Sequence, residues 1–197
     1  MKTPKTIFIF GGTFGPPHMG HANVVRQLLA YIHDMKDNGS IEVVPSWKHS
    51  LKEPSIPYYH RLQMCIEAFG VPSKAWPSLI NVSEIEGIND VGTTQRLLSR
   101  YIGDWEAKYG GGWRNHIRPV FCMSSDCLMH FNKWHNAEEV SQMVEFHIFP
   151  RNANDPCNST YIRSLLVGPE RLTHPDLQRM LNDKVYQYIL YHDLYTE

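Results

Sequence analysis

Apolar residues in this chain alternate between short unbroken runs and longer stretches with one apolar position every three or four residues. Thr6–Phe10, with the run Ile7-Phe8-Ile9-Phe10, has the pattern of a strand covered on both faces. Ala22–Asp37 reads as a helix closed by Asn38-Gly39. Ile41–Pro45 predicts a second strand, followed by a polar, Lys- and Pro-containing loop over Ser46–Pro57. Tyr58–Phe69 sets Leu62, Cys65, Ile66 and Phe69 at helical spacing, and Leu79–Val82 predicts a third strand. Thr93–Tyr109 reads as a helix with Leu97, Leu98, Tyr101, Ile102 and Trp105 on one face, ended by Gly110-Gly111-Gly112. Ile117–Met123 and Glu145–Phe149 are strand candidates, and Thr160–Leu166 is a short helix. Pro175–Tyr191 reads as a closing helix, with Pro in its first turn and Leu177, Leu181, Val185 and Tyr188 facing inward.

Strands alternating with helices predict an α/β fold, a Rossmann-like, doubly wound parallel sheet covered on both faces. Ligands of such sheets bind beyond the carboxyl ends of the strands. A length of 197 residues predicts a single domain over 1–197, with the closing helix packed on it.

Composition narrows the classes. The formal net charge of −1 argues against a broad nucleic-acid surface, which needs excess cationic charge to displace counterions. Cys65, Cys122, Cys127 and Cys157 form no CxxC pair, and the first three lie in apolar segments, so reduced packing cysteines are expected. Eleven histidines include no HExxH or Cys/His ligand cluster, so no protein-held metal is expected. The apolar run after Lys2 and Lys5 is too short for a signal-peptide core, and no stretch could span a bilayer. A cytoplasmic protein is expected, with self-association into a homo-oligomer left open.

Two segments carry candidate chemistry. Gly11-Gly12-Thr13-Phe14-Gly15-Pro16-Pro17-His18-Met19-Gly20-His21 joins the first strand to the first helix. A glycine-rich strand-to-helix turn can hold phosphate against backbone N–H groups, and glycines without Cβ admit a ligand closely. Two imidazoles at the helix entrance suit a reaction that builds charge on phosphate oxygens. The second segment is Asn158-Ser159-Thr160-Tyr161-Ile162-Arg163. There Ser159 or Thr160 can cap a helix whose free N–H groups bind phosphate, and the Arg163 fork can reach the same oxygens.

The first segment resembles the signature of the HxGH nucleotidylyltransferases, and most closely that of the nicotinate/nicotinamide mononucleotide adenylyltransferases. The second resembles the STxxR motif of the same superfamily, with Asn158 in place of the commoner first serine. His60-Arg61-Leu62-Gln63-Met64 resembles the HRLxM stretch of the bacterial enzymes, where Leu62 and Met64 read as core residues. The resemblance implies that Gly11, Gly12, Thr13, Phe14, Gly20, Ser159 and Thr160 line the ATP site. Lys48 or Lys52 would stand near its phosphates, Asp126 would receive a ribose, and Pro150-Arg151 would lie near adenine. Thr94 and Trp134 would frame the pyridine mononucleotide. Two departures are Ser124, where the family carries glycine, and Asp90-Val91-Gly92, which lacks the family's aromatic residue.

The implied reaction is attack of a pyridine mononucleotide phosphate on the α-phosphorus of ATP, with pyrophosphate leaving. His18, His21 and Arg163 are the expected catalytic residues, and Mg²⁺, arriving with ATP, is the expected cofactor. The expected partners are these small molecules, with neither nucleic acid nor membrane. The bacterial-type stretch leans towards nicotinate mononucleotide. Phosphopantetheine or cytidylyl transfer, and a non-catalytic nucleotide sensor on the same fold, stay open. A class I aminoacyl-tRNA synthetase is excluded by length and by the lack of a KMSKS-like loop.

Overall fold

The computed structural model describes residues 3–36, 38–48, 54–70, 79–89, 92–150 and 157–196. In chain order the elements are β1 (Lys5–Gly12), α1 (Met19–Asp34), β2 (Ser40–Pro45), α2 (Tyr58–Phe69), β3 (Ile80–Val82), α3 (Ile85–Asn89) and α4 (Thr94–Tyr109). A 3₁₀ turn over Gly110–Asn115 leads into β4 (Ile117–Ser124), α5 (Ser125–Met129), a 3₁₀ turn at Phe131–Lys133 and α6 (Ala137–Met143). The chain ends with β5 (Glu145–Phe149), α7 (Ser159–Val167), α8 (Pro175–Met180) and α9 (Asp183–Tyr191).

The five strands form one sheet in the order β3-β2-β1-β4-β5, and every pairing is parallel. This is the α/β, doubly wound sheet that the alternation predicts. Successive side chains of a strand point to opposite faces. Phe8 and Phe10 of β1 therefore pack with Val24, Val25 and Leu28 of α1 and with Cys65 and Phe69 of α2. Ile7 and Ile9 pack on the other face with Leu97 and Leu98 of α4, Trp113 and Val140 of α6. A third apolar cluster joins Met64 of α2 to Ile162 and Leu166 of α7, Leu177 of α8, and Val185 and Ile189 of α9.

Several expectations need correction. Gly11 and Gly12 belong to β1, because the parallel ladder continues through Gly11↔Val44 and Gly12↔Pro45. The turn is therefore Thr13–Pro17. The first helix begins at Met19, since His18 caps it. The closing helix is two helices, because the Asn182 side chain accepts from Lys184 N and starts α9 afresh. Tyr186 and Ile189 take buried places there, while Tyr188 is only half-buried. In α2, Leu62 and Ile66 are half-buried, whereas His60 and Arg61 are buried. Cys127 is exposed rather than packed, and all four cysteines are free. Among the described residues no helix is long and apolar enough to cross a membrane.

Candidate active site

The carboxyl ends of β1, β2 and β4 lie side by side, and the Thr13–Pro17 loop leaves the central strand between its neighbours. His18 closes this loop as the N-cap of α1. Its Nδ1 accepts from Gly20 N at 3.1 Å, while its own backbone N–H donates to His21 Nδ1 at 3.2 Å. These bonds form a reciprocal capping box built from two imidazoles. Each Nδ1 is an acceptor, so in the neutral rings each Nε2 carries the hydrogen. The ring centroids are 3.8 Å apart. Two N–H donors are thus presented from one place at the start of a 16-residue helix.

Phe14 packs against the His21 ring. It adopts φ 49°, is 1 % exposed, and lies 4.8 Å, centroid to centroid, from His21. Its ring is core, so what Phe14 can offer a nucleotide is backbone. A Cβ on Gly12 would come within 3.2 Å of the Phe14 ring. A Cβ on Gly20 would come within 2.9 Å of the His18 ring and 3.3 Å of the Cys157 carbonyl. Glycine at 20 thus allows the capping imidazole to fold back over its own helix.

The second motif meets the first. Asn158, rather than Ser159 or Thr160, caps α7, its side-chain oxygen accepting from Tyr161 N at 2.9 Å. Ser159 Oγ then donates to Pro16 O at 3.1 Å, and Arg163 Nη1 donates to Gly15 O at 2.7 Å. Arg163 Nη2 reaches Thr160 Oγ1 at 3.3 Å. Residues 143 and 148 positions apart are brought together, and the arginine keeps further N–H groups for an anion.

The other candidates are more scattered. Lys48 is exposed, just past the end of β2, and Pro150 is exposed just past β5. Asp126 is half-buried in the first turn of α5, next to the end of β4. Thr94 opens α4 after Thr93, whose hydroxyl accepts from Arg96 N at 3.3 Å. Trp134 packs edge-on against Phe121 of β4 and is tilted against Phe131, at 5.9 and 5.4 Å. Trp134 and α4 both pack in the cluster opposite α1 and α2. Lys52, Arg151, Asp90 and Val91 lie outside the described residues.

Three residues near the site have no role of their own assigned by the motifs. Arg61 is buried and bonded to the carbonyls of Thr13 and Ser46. Glu86, 6 % exposed, accepts from Trp47 N at 2.6 Å. Burial pushes its carboxyl up to about 7, against the downward pull of the Trp47 N–H bond and the Arg61 charge. Cys157 brings Sγ to 3.5 Å from His18 Nδ1. The HRLxM resemblance touches Arg61 but ascribes core positions only to its neighbours.

A family model described as cytidylyltransferase-like matches residues 9–175, a span that holds both histidines and Arg163. The chain belongs to the cytidylyltransferase-like family. Among this family member's relatives is a protein of Myxococcus xanthus named "probable nicotinate-nucleotide adenylyltransferase". It is 26 % identical over 182 residues, covering 86 % of either chain. One of the same name from Leptospira interrogans is 24 % identical over 210 residues, covering 96 % of each. A Vibrio parahaemolyticus crystal structure, provisionally named a nicotinate-nucleotide adenylyltransferase, superposes with TM-score 0.69 at 23 % identity. It covers 98 % of this chain and 96 % of its own. The Plasmodium falciparum nicotinic acid mononucleotide adenylyltransferase, complexed with APC, gives 0.66 at 18 % identity and 97 % coverage of each chain. At such identities the two structures speak to the fold. The family and the relatives' names support an enzyme of the nucleotidyltransferase type.

Proposed function

We propose that this chain transfers the adenylyl group of ATP to nicotinate mononucleotide, forming the dinucleotide and pyrophosphate. The observation that carries the reading is the imidazole pair. Both Nδ1 atoms are occupied by backbone N–H groups, so both Nε2–H groups serve as donors at a helix N-terminus.

The mononucleotide phosphate is already an anion at neutral pH, so the step needs no strong protein base. A phosphate oxygen forms a bond to the α-phosphorus of ATP while the bond to the bridging α–β oxygen breaks. The electron pair and charge leave with pyrophosphate. Positioning and electrostatic stabilisation then supply the acceleration. His18 and His21 donate to the α- and β-phosphate oxygens as charge shifts, while Arg163, Ser159 and Thr160 hold the β- and γ-phosphates. Mg²⁺ would arrive with ATP, held by the nucleotide and water rather than by protein carboxylates, and would offset the phosphate charge that His18, His21 and Arg163 also face. Among the described residues no group of three or more His, Cys, Asp or Glu side chains could hold a metal, and the donors of this site suit anions. Thr94 and Trp134 border the pyridine end.

The relatives named for nicotinate support the acid over the amide. The test offers ATP with each mononucleotide and follows pyrophosphate and product mass. Dinucleotide from nicotinate mononucleotide is expected. A tenfold preference in kcat/KM for the amide, about 1.4 kcal/mol, overturns the substrate but not the reaction. No product from either overturns both.

A further inference from the structure

Arg61 is 1 % exposed, yet its guanidinium is spent on backbone carbonyls. Nε donates to Ile56 O at 3.3 Å, and Nη1 donates to Thr13 O at 2.8 Å and Ser46 O at 2.6 Å. Nη2 donates to Trp47 O at 3.1 Å. Burying a cation costs free energy that packing alone would not require, since an apolar side chain would fill the space. What an apolar side chain cannot do is join three segments: the loop after β1, the turn after β2 and the lead into α2. A planar fork with five donors can. Two of those segments stand at the carboxyl ends of neighbouring strands, where ligands of such sheets bind. Glu86 closes the same turn from α3 through Trp47 N, and Ser46 N donates to Gly12 O at 2.9 Å.

We propose that Arg61 is a positioning residue that sets the spacing between the loop after β1 and the turn after β2. It thereby sets where His18 and Lys48 stand relative to ATP, and in this it rests on the adenylyl-transfer reading. Thr13 lies five residues before His18, and Trp47 adjoins Lys48. A misplacement of about 1 Å at such groups costs on the order of 10²-fold in rate.

Arg61→Lys keeps the charge and loses the fork. The expected result is a KM for ATP raised about tenfold and a kcat lowered about 10- to 100-fold. The KM for the mononucleotide stays within about twofold, because Thr94 and Trp134 are fastened elsewhere. A merely structural role lowers the folded fraction and leaves both constants of the folded enzyme unchanged, which overturns the proposal. Should Arg61→Lys not fold, Glu86→Ala and Glu86→Gln take its place. The alanine variant loses the acceptor for Trp47 N–H and raises the KM for ATP about threefold. The glutamine variant, whose amide oxygen accepts the same bond, restores it. Identical constants for wild type and both Glu86 variants overturn the proposal. Amide hydrogen exchange over 11–17 and 44–48 reads the effect without the reaction, and faster exchange in both segments is expected. A wild-type chain that forms no dinucleotide removes the adenylyl-transfer reading; unchanged exchange in both segments removes the role of Arg61.

Discussion

Between Thr13 and His21, most anchor points are backbone atoms gripped by side chains from elsewhere. Arg61 holds Thr13, Arg163 holds Gly15, Ser159 holds Pro16, and the two imidazoles hold Gly20 and His18. Around Trp134 the anchors are rings, namely Phe121 and Phe131, with Phe146 behind them. Directional bonds place a donor to within a fraction of an ångström. Ring packing defines a surface and tolerates small shifts. The contrast matches the chemistry proposed for each side: phosphates change charge during the reaction and need aimed donors, whereas the face of a pyridine ring is met by a flat apolar neighbour.

The most damaging way to break the phosphate side is to remove an aimed donor. His21→Ala, or His18→Asn, which keeps a capping oxygen for α1, should lower kcat about 10²–10³-fold. The fold should survive, and circular dichroism beside steady-state rates checks both halves; a folded variant with full turnover sinks the assignment. Arg163→Ala should cost about 2–3 kcal/mol in kcat/KM for ATP while moving the mononucleotide KM little. Equal losses for the two substrates would show that the grip on Gly15, not the phosphate fork, is what matters.

Glu86 sharpens the comparison through stability. Its carboxyl titrates near 7 in the fold against 4.5 unfolded, so the folded chain holds the extra proton between those values. Stability therefore falls as pH rises through that window, by about 2 kcal/mol between pH 5 and pH 8. Glu86→Gln should abolish that part of the slope, and denaturant midpoints at the two pH values test it. An unchanged slope would contradict the burial argument. The smallest effect is expected on the ring side: Trp134→Leu should raise the mononucleotide KM about fivefold, roughly 1 kcal/mol, with the ATP constants untouched. A shift in the ATP constants instead would place Trp134 on the wrong side of the reaction.

Local patterns made most of the sheet legible. Ile7 to Phe10 and Glu145–Phe149 read directly as strands, and Tyr58–Phe69 coincides with α2. The apolar pattern starts α1 late because histidine is not a customary N-cap, whereas here the His18 ring accepts from Gly20 N. The break before α9 has no mark in the apolar pattern, because Leu177, Leu181 and Val185 keep helical spacing straight through the Asn182 cap. Helices of five to seven residues, such as α3, α5 and α6, are too short to show a period. The two motifs are both legible in the sequence, and the fold brings them together through Ser159 and Arg163. Arg61 did not signal its role, since its carbonyl partners lie up to 48 positions away and carbonyls carry no sequence mark. For Asp126, Thr94 and Trp134 only the resemblance implies a role, since their spacing carries no chemistry of its own.

The imidazole capping box also equips the molecule with its own reporters. The amide protons of His18 and Gly20 end on ring nitrogens, so their chemical shifts register whether those nitrogens are bare. Acid that protonates both nitrogens of a ring takes the acceptor away. The matching amide resonance should then move upfield and exchange faster with solvent. Two backbone signals can thus follow the ionisation of the paired histidines one ring at a time, in the resting protein, with no substrate present and no label on a side chain.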